Sequence, residues 1–264
     1  MDSRLPRIRL HPAPSAALLE KLRGGDGVPP LRCTCRIDAW EEGRAFPDGH
    51  HVRILGPAGD VDAEVACLLA ETGILDDVAS PFSPEALGEL PRLAPAVGGG
   101  PAELGELKEA TQRRDERSAV AFSVDPPGCQ DIDDAMSVRI LSDEFYEVGV
   151  HIADVDRFVP AGSHLDAEAR RRCTTFYLVD RRYDMLPHFL SGNLCSLHEK
   201  VDRLAVSVLF KVRRDTLEIV KENTWFGRTL IHNRAAMTYS QADALLHDRD
   251  PNADVAPSHP PLTA

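Results

Sequence analysis

Between Val124 and Ala135 the chain reads VDPPGCQDIDDA, placing four aspartates, Asp125, Asp131, Asp133 and Asp134, within ten residues. Carboxylates this close repel one another, and a like charge within a few ångströms raises a carboxylate's pKa and opposes its ionisation. Such a cluster is costly unless a cation sits among it. Hard divalent cations take oxygen ligands, and Mg²⁺ is held by one or two carboxylates together with substrate phosphates. A solvated acidic turn is the plain alternative. Apolar strands flank the cluster on both sides, however, as expected of a site carried by a rigid scaffold. A calcium loop of the EF-hand kind needs D-x-[DN]-x-[DN]-G and a later Glu, and the segment has neither that spacing nor that glycine.

The local backbone fits a built site. Ala121 to Val124 is apolar and ends on a β-branched residue, which predicts a buried strand. Pro126, Pro127 and Gly128 stop it and force a turn. Asp131 and Asp133 are two apart and share a side of extended chain, whereas Asp134 points the other way. A bend near Asp133 is therefore needed to gather all four.

Length and composition set the frame. At 264 residues, 43 % hydrophobic and 27 % charged, the chain suits one large or two ordinary globular domains. It holds no run of about 18 apolar residues, so no membrane span is predicted. The start, MDSRLPRIRL, lacks the apolar core of a secretory signal, which predicts an intracellular protein. Six scattered cysteines (Cys33, Cys35, Cys67, Cys129, Cys173, Cys195) read as reduced thiols, because C-x-C alone is not a zinc spacing. Cys129, inside the aspartate loop, reads as a small packed residue. A net charge of −12 argues against nucleic-acid binding. The distribution is uneven, however: from Arg170 to Arg214 ten basic residues face four acidic ones. A phosphate-binding face beside a metal site would use that excess, although basic side chains with no shared face are the other reading.

Taken in order, residues 4 to about 78 read as small β structure. Arg7–Leu10, Leu31–Trp40 and His51–Leu55 are the expected strands, with turns at Phe46–Gly49 and Gly56–Gly59, and Ala63–Glu71 is helical or extended. Several short strands with turns between them predict a small barrel, too short here to be whole. Ser83-Pro84-Glu85 begins a helix, LAPAVGGGP (93–101) is a linker, and Glu103–Arg117 is an exposed helix. Beyond Ser118 come a hairpin (Met136–Ile140 with Phe145–Ile152) and a helix over Ser163–Arg172. A strong strand at Thr174–Val179 and a buried strand at Leu204–Val212 follow, with Trp225–Ile231 pairing to the latter. Thr238–His247 has helical spacing with Ser240 as a cap, and 248–264 is predicted to be disordered.

VDPPGCQDIDDA, VGVHIADV (148–155), TTFYLV (174–179), DMLPHFLSGNLCSL (184–197) and VDRLAVSV (201–208) follow one another in this order. Together they resemble the RNB catalytic domain of the RNase II / RNase R family. The PPG and CSL segments are most similar to the eukaryotic branch that supplies the exosome's catalytic subunit. AFPDGHHVRILG and the FSPEALGELP stretch resemble the second half of the cold-shock-type OB barrel that precedes RNB in that branch. The implied fold is α+β: a partial cold-shock/OB-type barrel (1–92), a linker and lead-in helix (93–117), the N-terminal part of an RNB domain with a mixed sheet and helices (118–247), and the tail (248–264). In the family the RNB domain runs on past where this chain stops, so the resemblance implies a partial chain that leaves a sheet edge open.

The resemblance implies a 3′→5′ exoribonuclease that hydrolyses single-stranded RNA to 5′-mononucleotides with Mg²⁺, or Mn²⁺ in its place, in RNA processing and decay. Its four site aspartates fall on Asp125, Asp131, Asp133 and Asp134. Asp125 and Asp134 are expected to contact metal directly, with Asp131 a further ligand and Asp133 positioning a metal or water, so that Asp131 and Asp133 carry the catalytic role. The base-stacking tyrosine falls on Tyr177, and Arg181, Arg182 and Arg203 are expected to hold RNA. Implied partners are single-stranded RNA and exosome core subunits in the nucleus or cytoplasm, with no membrane. Two rivals stay open: an RNA-binding module without catalysis, and a fragment that docks to an RNA-degrading assembly.

Overall fold

The computed structural model describes residues 6–25, 27–90 and 112–253. Its contacts divide the chain into one unit ending at Pro81 and another starting at Phe82. Residues 82–90, grouped by composition with the first unit, thus belong to the second.

The first unit is a three-stranded sheet with three helices. Strands β1 (Arg9–Leu10), β2 (Leu31–Ala39) and β3 (Asp48–Pro57) lie in the order β1-β3-β2, with β1 parallel and β2 antiparallel to β3. Helix α1 (Ala16–Arg23), absent from the all-β expectation, begins where Ser15 accepts a hydrogen bond from the Leu18 amide, and Lys21 and Arg23 complement its C-terminal end. Helix α2 (Val61–Glu71) follows β3 and is capped by Asp60. It packs close enough that a Cβ on Gly56 would stand 2.9 Å from the Ala63 Cβ, and Gly56 also holds a φ of +142°. Both facts demand glycine there. A short helix α3 (Leu75–Val78) ends the unit.

The second unit is organised by a closed ring of strands. These are β5 (Val120–Asp125), β6 (Asp134–Ile140), β7 (Phe145–Ala153), β10 (Asp202–Arg213) and β11 (Trp225–Thr238), with β4 (Arg114–Asp115) beside them. Strands β5, β6, β7 and β10 pair antiparallel in sequence order of contact, β5–β6, β6–β7 and β7–β10. The 14 residues of β11 close the ring. Its first half pairs with β10 (Asp202↔His232 to Leu209↔Trp225) and its second half runs parallel to β5 (Asn233↔Ala121 to Thr238↔Asp125). Only two-residue β4 is appended outside the ring, along β11. The expected open edge is closed on β10 over Ala205–Leu209, which pairs with both β7 and β11, whereas β11 pairs with β10 over its first half and with β5 over its second. Closure is the way a sheet removes edges.

Small and polar residues fill the buried side of the ring. His151 lies between Ser207 (2.6 Å) and Ser137 (2.9 Å), all three buried. Burial pushes its pKa down to about 4, so it stays neutral. The apolar core sits where the ring meets α5 (His164–Arg172) and the Phe189–Leu197 segment, around Phe158, Leu165, Leu190, Leu194 and Leu197. Each such side chain stabilises the fold by about 2 kcal/mol on removal from water. Ser163 caps α5 at the Asp166 amide, and the Glu89 carboxylate accepts from the His164 and Leu165 amides at 3.0 and 3.1 Å. The helix at Ser83 is α4 (Pro84–Leu87), as the Ser-Pro-Glu start predicts.

Three local expectations are corrected. TTFYLV forms only β8 (Phe176–Tyr177), paired with β9 (Arg182–Tyr183) in a ribbon of its own. No other strand lies beside it to bury the run, and Val179 is fully exposed. Helix α6 (Tyr239–Leu246) is capped by Thr238 with Gln241 in a reciprocal capping box, not by Ser240. Residues 112–117, read as the end of a helix, include β4; the rest of that helix, the linker and residues 254–264 lie outside the described residues.

Candidate active site

Asp125 ends β5 and Asp134 begins β6. The two strands pair only from Val120↔Val138 to Phe122↔Met136, so they part just before the aspartates. Between them the chain turns at Pro126–Cys129, closed by the Cys129 amide donating to the Pro126 carbonyl at 3.2 Å. Gly128 sits third in that turn with φ +79° and nothing within 4 Å of a would-be Cβ. Backbone conformation, rather than space, requires the glycine after Pro127. The chain rejoins the sheet at Asp133, whose carbonyl accepts from the Ala153 amide at 2.9 Å.

Ile132 anchors this loop. Its side chain is buried in the core between two aspartates. Its amide donates to Ser196 Oγ at 3.0 Å and its carbonyl accepts from the Leu197 amide at 2.8 Å. Ile132, next to the position where a bend is predicted, is held by both backbone groups and by packing.

The carboxylates divide by environment. Asp131 accepts the Tyr177 hydroxyl and pairs with Arg182 Nη1 at 3.1 Å. Arg182 also pairs through Nε with Asp184 at 2.8 Å and donates from Nη2 to His188 Nδ1 at 2.7 Å. Guanidinium has no acceptor, so His188 accepts there and carries its proton on Nε2. The hydrogen bond to Asp131 raises the Tyr177 pKa and keeps it a phenol. Asp125, Asp133 and Asp134 have no cationic partner among the described residues. Burial, then repulsion from the neighbouring carboxylates, raises the pKa of Asp133. Burial likewise raises that of Asp125, opposed by hydrogen bonds from Ser123 and Cys129. One Asp125 oxygen, Oδ2, is buried without a hydrogen-bond partner. Burial also lifts the Cys129 thiol to about 11, in keeping with a packed rather than a nucleophilic cysteine.

An orphaned buried carboxylate oxygen beside two raised or repelled neighbours fits a hard divalent cation in kind. Among the described residues no three histidine, cysteine or carboxylate groups stand close enough to enclose an ion by themselves. Asp125, Asp133 and Asp134 are the carboxylates that would contact such a cation, with Asp131 engaged by Tyr177 and Arg182.

An open groove of about 670 Å³ runs past the loop, lined by Pro126, Gly128, Asp131, Tyr177, Arg181 and Arg182 among others. Tyr177 and the first two expected arginines thus reach it. Arg203 does not: it is wholly buried, with Nε on the Ser196 carbonyl (2.8 Å), Nη1 on the Asp202 carbonyl (3.1 Å) and Nη2 on Asn193 Oδ1 (3.3 Å). Burial lowers its pKa to about 10. An arginine one residue into a buried strand is structural here, and the expected RNA contact is withdrawn. The basic run as a whole forms no single face. Arg170 pairs with Asp166, Arg172 stacks on Phe82, and Lys211 and Arg213 lie over Phe145. Ser123, Ser196 and Asn233, which tie the loop in place, escaped the reading because buried hydroxyls and amides leave no periodic or charge signal.

The family model for the RNB domain matches residues 113–263, and that for the Dis3-like cold-shock domain 2 matches residues 1–73. The chain belongs to the RNB family. Exosome complex exonuclease RRP44 of Homo sapiens is 39% identical over 257 residues, which cover 97% of this chain and 24% of the relative. DIS3-like exonuclease 2 of Schizosaccharomyces pombe is 38% identical over 255 residues, covering 94% and 26%. This RNB-family chain thus spans about a quarter of the length of the curated relatives it matches. Among solved structures, Mycoplasma genitalium RNase R in complex with ribose-methylated single-stranded RNA superposes with a TM-score of 0.65 at 20% identity, over 87% of this chain and 33% of that one. Yeast Ssd1, described as a pseudonuclease, superposes with a TM-score of 0.63 at 23% identity, over 83% and 26%. At those identities the likeness shows the fold alone, and the RNB fold is shared by a pseudonuclease.

Proposed function

We propose that the chain carries part of the catalytic site of a 3′→5′ exoribonuclease that hydrolyses single-stranded RNA to 5′-mononucleotides in RNA processing and decay. The observation that carries this reading is the shared groove. Pro126 to Asp131 of the aspartate loop form one wall, with Asp131 the aspartate that lines it, and Tyr177 with Arg181 and Arg182 forms the other. Tyr177 is 64% exposed and presents a ring on which an unstacked base can lie. Arg181 and Arg182 place positive charge where a phosphate would pass.

Mg²⁺, or Mn²⁺ in its place, would supply an activated water and stabilise the leaving 3′ oxygen in such a hydrolysis. Asp125 and Asp134 would hold metal directly from the two strand ends. Asp133, repelled by its like-charged neighbours, would orient metal and water. Asp131 acts differently from the expected plain ligand. It links the metal side to the RNA side through Tyr177 and Arg182, so that substrate entering against either residue acts on its carboxylate. Partners on this reading are single-stranded RNA and the exosome core, inside the cell in nucleus or cytoplasm.

A catalytically incomplete RNA-binding or exosome-docking piece is the second reading, favoured by the quarter-length coverage of the relatives and by a pseudonuclease among the fold's neighbours. A nuclease assay of this chain on uniformly labelled single-stranded RNA with and without Mg²⁺ separates the two. Mononucleotide release that stops on chelation supports the enzyme. RNA retention, or recovery with exosome subunits, without release supports the second reading.

A further inference from the structure

Four mutually repelling carboxylates push their loop open, so something other than the carboxylates must hold it shut. The groups that grip the loop backbone are the Ser196 hydroxyl and the Leu197 amide, from one segment distant in sequence. The Ile132 amide donates to Ser196 Oγ at 3.0 Å, and the Leu197 amide donates to the Ile132 carbonyl at 2.8 Å. Behind them, the Ser196 carbonyl accepts Arg203 Nε at 2.8 Å, and Asn193 Oδ1 accepts Arg203 Nη2 at 3.3 Å. On the other side, Asn233 Nδ2 donates to the Leu197 carbonyl at 2.8 Å and reaches Ser123 Oγ at 3.3 Å. Ser123 stands on β5 two residues before Asp125. One continuous chain of contacts thus joins the end of β5 to the middle of the aspartate loop.

Every side chain on its direct path is buried: Ser123, Ser196, Arg203 and Asn233 are each at most 1% exposed. The segment that delivers Ser196 is itself unusual. Leu190–Leu194 is a wide helical turn, closed by the Cys195 amide on the Leu190 carbonyl five residues back at 2.8 Å. Wide turns of this kind are rare and are frequent at functional sites.

We propose that Asn193–Leu197 is a positioning clamp for the metal-holding aspartates, with Ser196 its central residue and Arg203 its support. Ser196 touches neither substrate nor metal. It acts through the Ile132 backbone, which sets the separation of Asp131 from Asp133. The inference rests on the metal reading above, and its test separates the two.

The test compares Ser196→Ala with Ser207→Ala, a buried hydroxyl removed from the same ring but bonded to His151 and Thr229 instead. Both variants lose stability. In Ser196→Ala, Mn²⁺ affinity measured by calorimetry on the whole chain falls about tenfold, the effect expected of a group that orients a metal ligand. Amide exchange at Ile132 accelerates at least about tenfold for loss of a net hydrogen bond of order 1.4 kcal/mol. Ser207→Ala changes neither, and Ser196→Thr, which keeps the hydroxyl, restores both. Should Ser196→Ala fail to fold, Asn193→Ala gives the same two changes at smaller size. Mn²⁺ affinity and Ile132 protection unchanged in a folded clamp variant overturn the clamp. A wild-type chain that takes up no Mn²⁺ overturns the metal reading instead, and the exchange measurement alone then decides the clamp.

Discussion

The aspartate loop and the β8–β9 ribbon line one groove but are held in opposite ways. The loop is fixed by backbone: Ile132 is buried, both its peptide groups are bonded, and Asp125 and Asp134 ride on strands of a closed ring. The ribbon has two residues in each strand and one pairing, with Tyr177 and Val179 in solvent. Its link to the loop is by side chains alone, Tyr177 and Arg182 on Asp131. The contrast matches the demands of the two tasks. Hydrolysis needs groups fixed to a fraction of an ångström, which a rigid scaffold supplies. Holding a moving strand needs grip that yields, which a stacked ring and a charge supply.

Substitutions on the two walls should therefore fail differently. The largest effect is expected from Asp133→Asn in a full-length relative carrying this segment. Single-turnover cleavage should fall by several kcal/mol, on the order of 10³-fold or more, with filter binding of the same RNA unchanged or tighter. Binding that falls in step with cleavage would assign Asp133 to substrate holding. Next, Ile132→Ala in the present chain should cost about 2–4 kcal/mol in denaturant unfolding, as for a buried aliphatic anchor. Tyr177→Ala, on the other wall, should leave the unfolding midpoint nearly unchanged and weaken single-stranded RNA binding by about 1–3 kcal/mol. Equal stability losses in the two variants would erase the distinction between them.

The smallest effect concerns pH. Asp125 and Asp133 have raised pKa values because burial and mutual repulsion penalise their charged forms in the folded chain. The penalty is absent below the ordinary carboxylate range, appears as pH rises through it, and is fully present above the raised values. Asp125→Asn without metal should therefore raise Tm by a few degrees at pH 7, and this gain should vanish near pH 3. A melting series from pH 3 to 8 checks the sign; a lower Tm at pH 7 would mean that the carboxylate is already compensated.

Much of this was legible in residues. PPG between apolar strands foretold the turn, the LAVSVLF and WFGRTLI runs foretold the β10–β11 pair, and the aspartates pointed to the candidate site. What misled was context. TTFYLV has the composition of a buried strand, yet no neighbour is placed to cover it. Arg203 reads like any other arginine of the basic run, yet its register in β10 turns it inward. Helix α1 did carry a signal, Ser15 ahead of AALLEKLR, which the surrounding prolines obscured. The clamp had none, because a serine's partner 64 residues away along the chain is fixed only once the ring closes.

The central claim is that these carboxylates are arranged for a divalent cation. Calorimetric titration of the chain with Mg²⁺ and Mn²⁺, repeated on Asp125→Asn with Asp134→Asn, tests it most directly. The account predicts saturable uptake by the wild-type chain that disappears in the double variant, with the fold retained. Equal uptake by the folded double variant would contradict it.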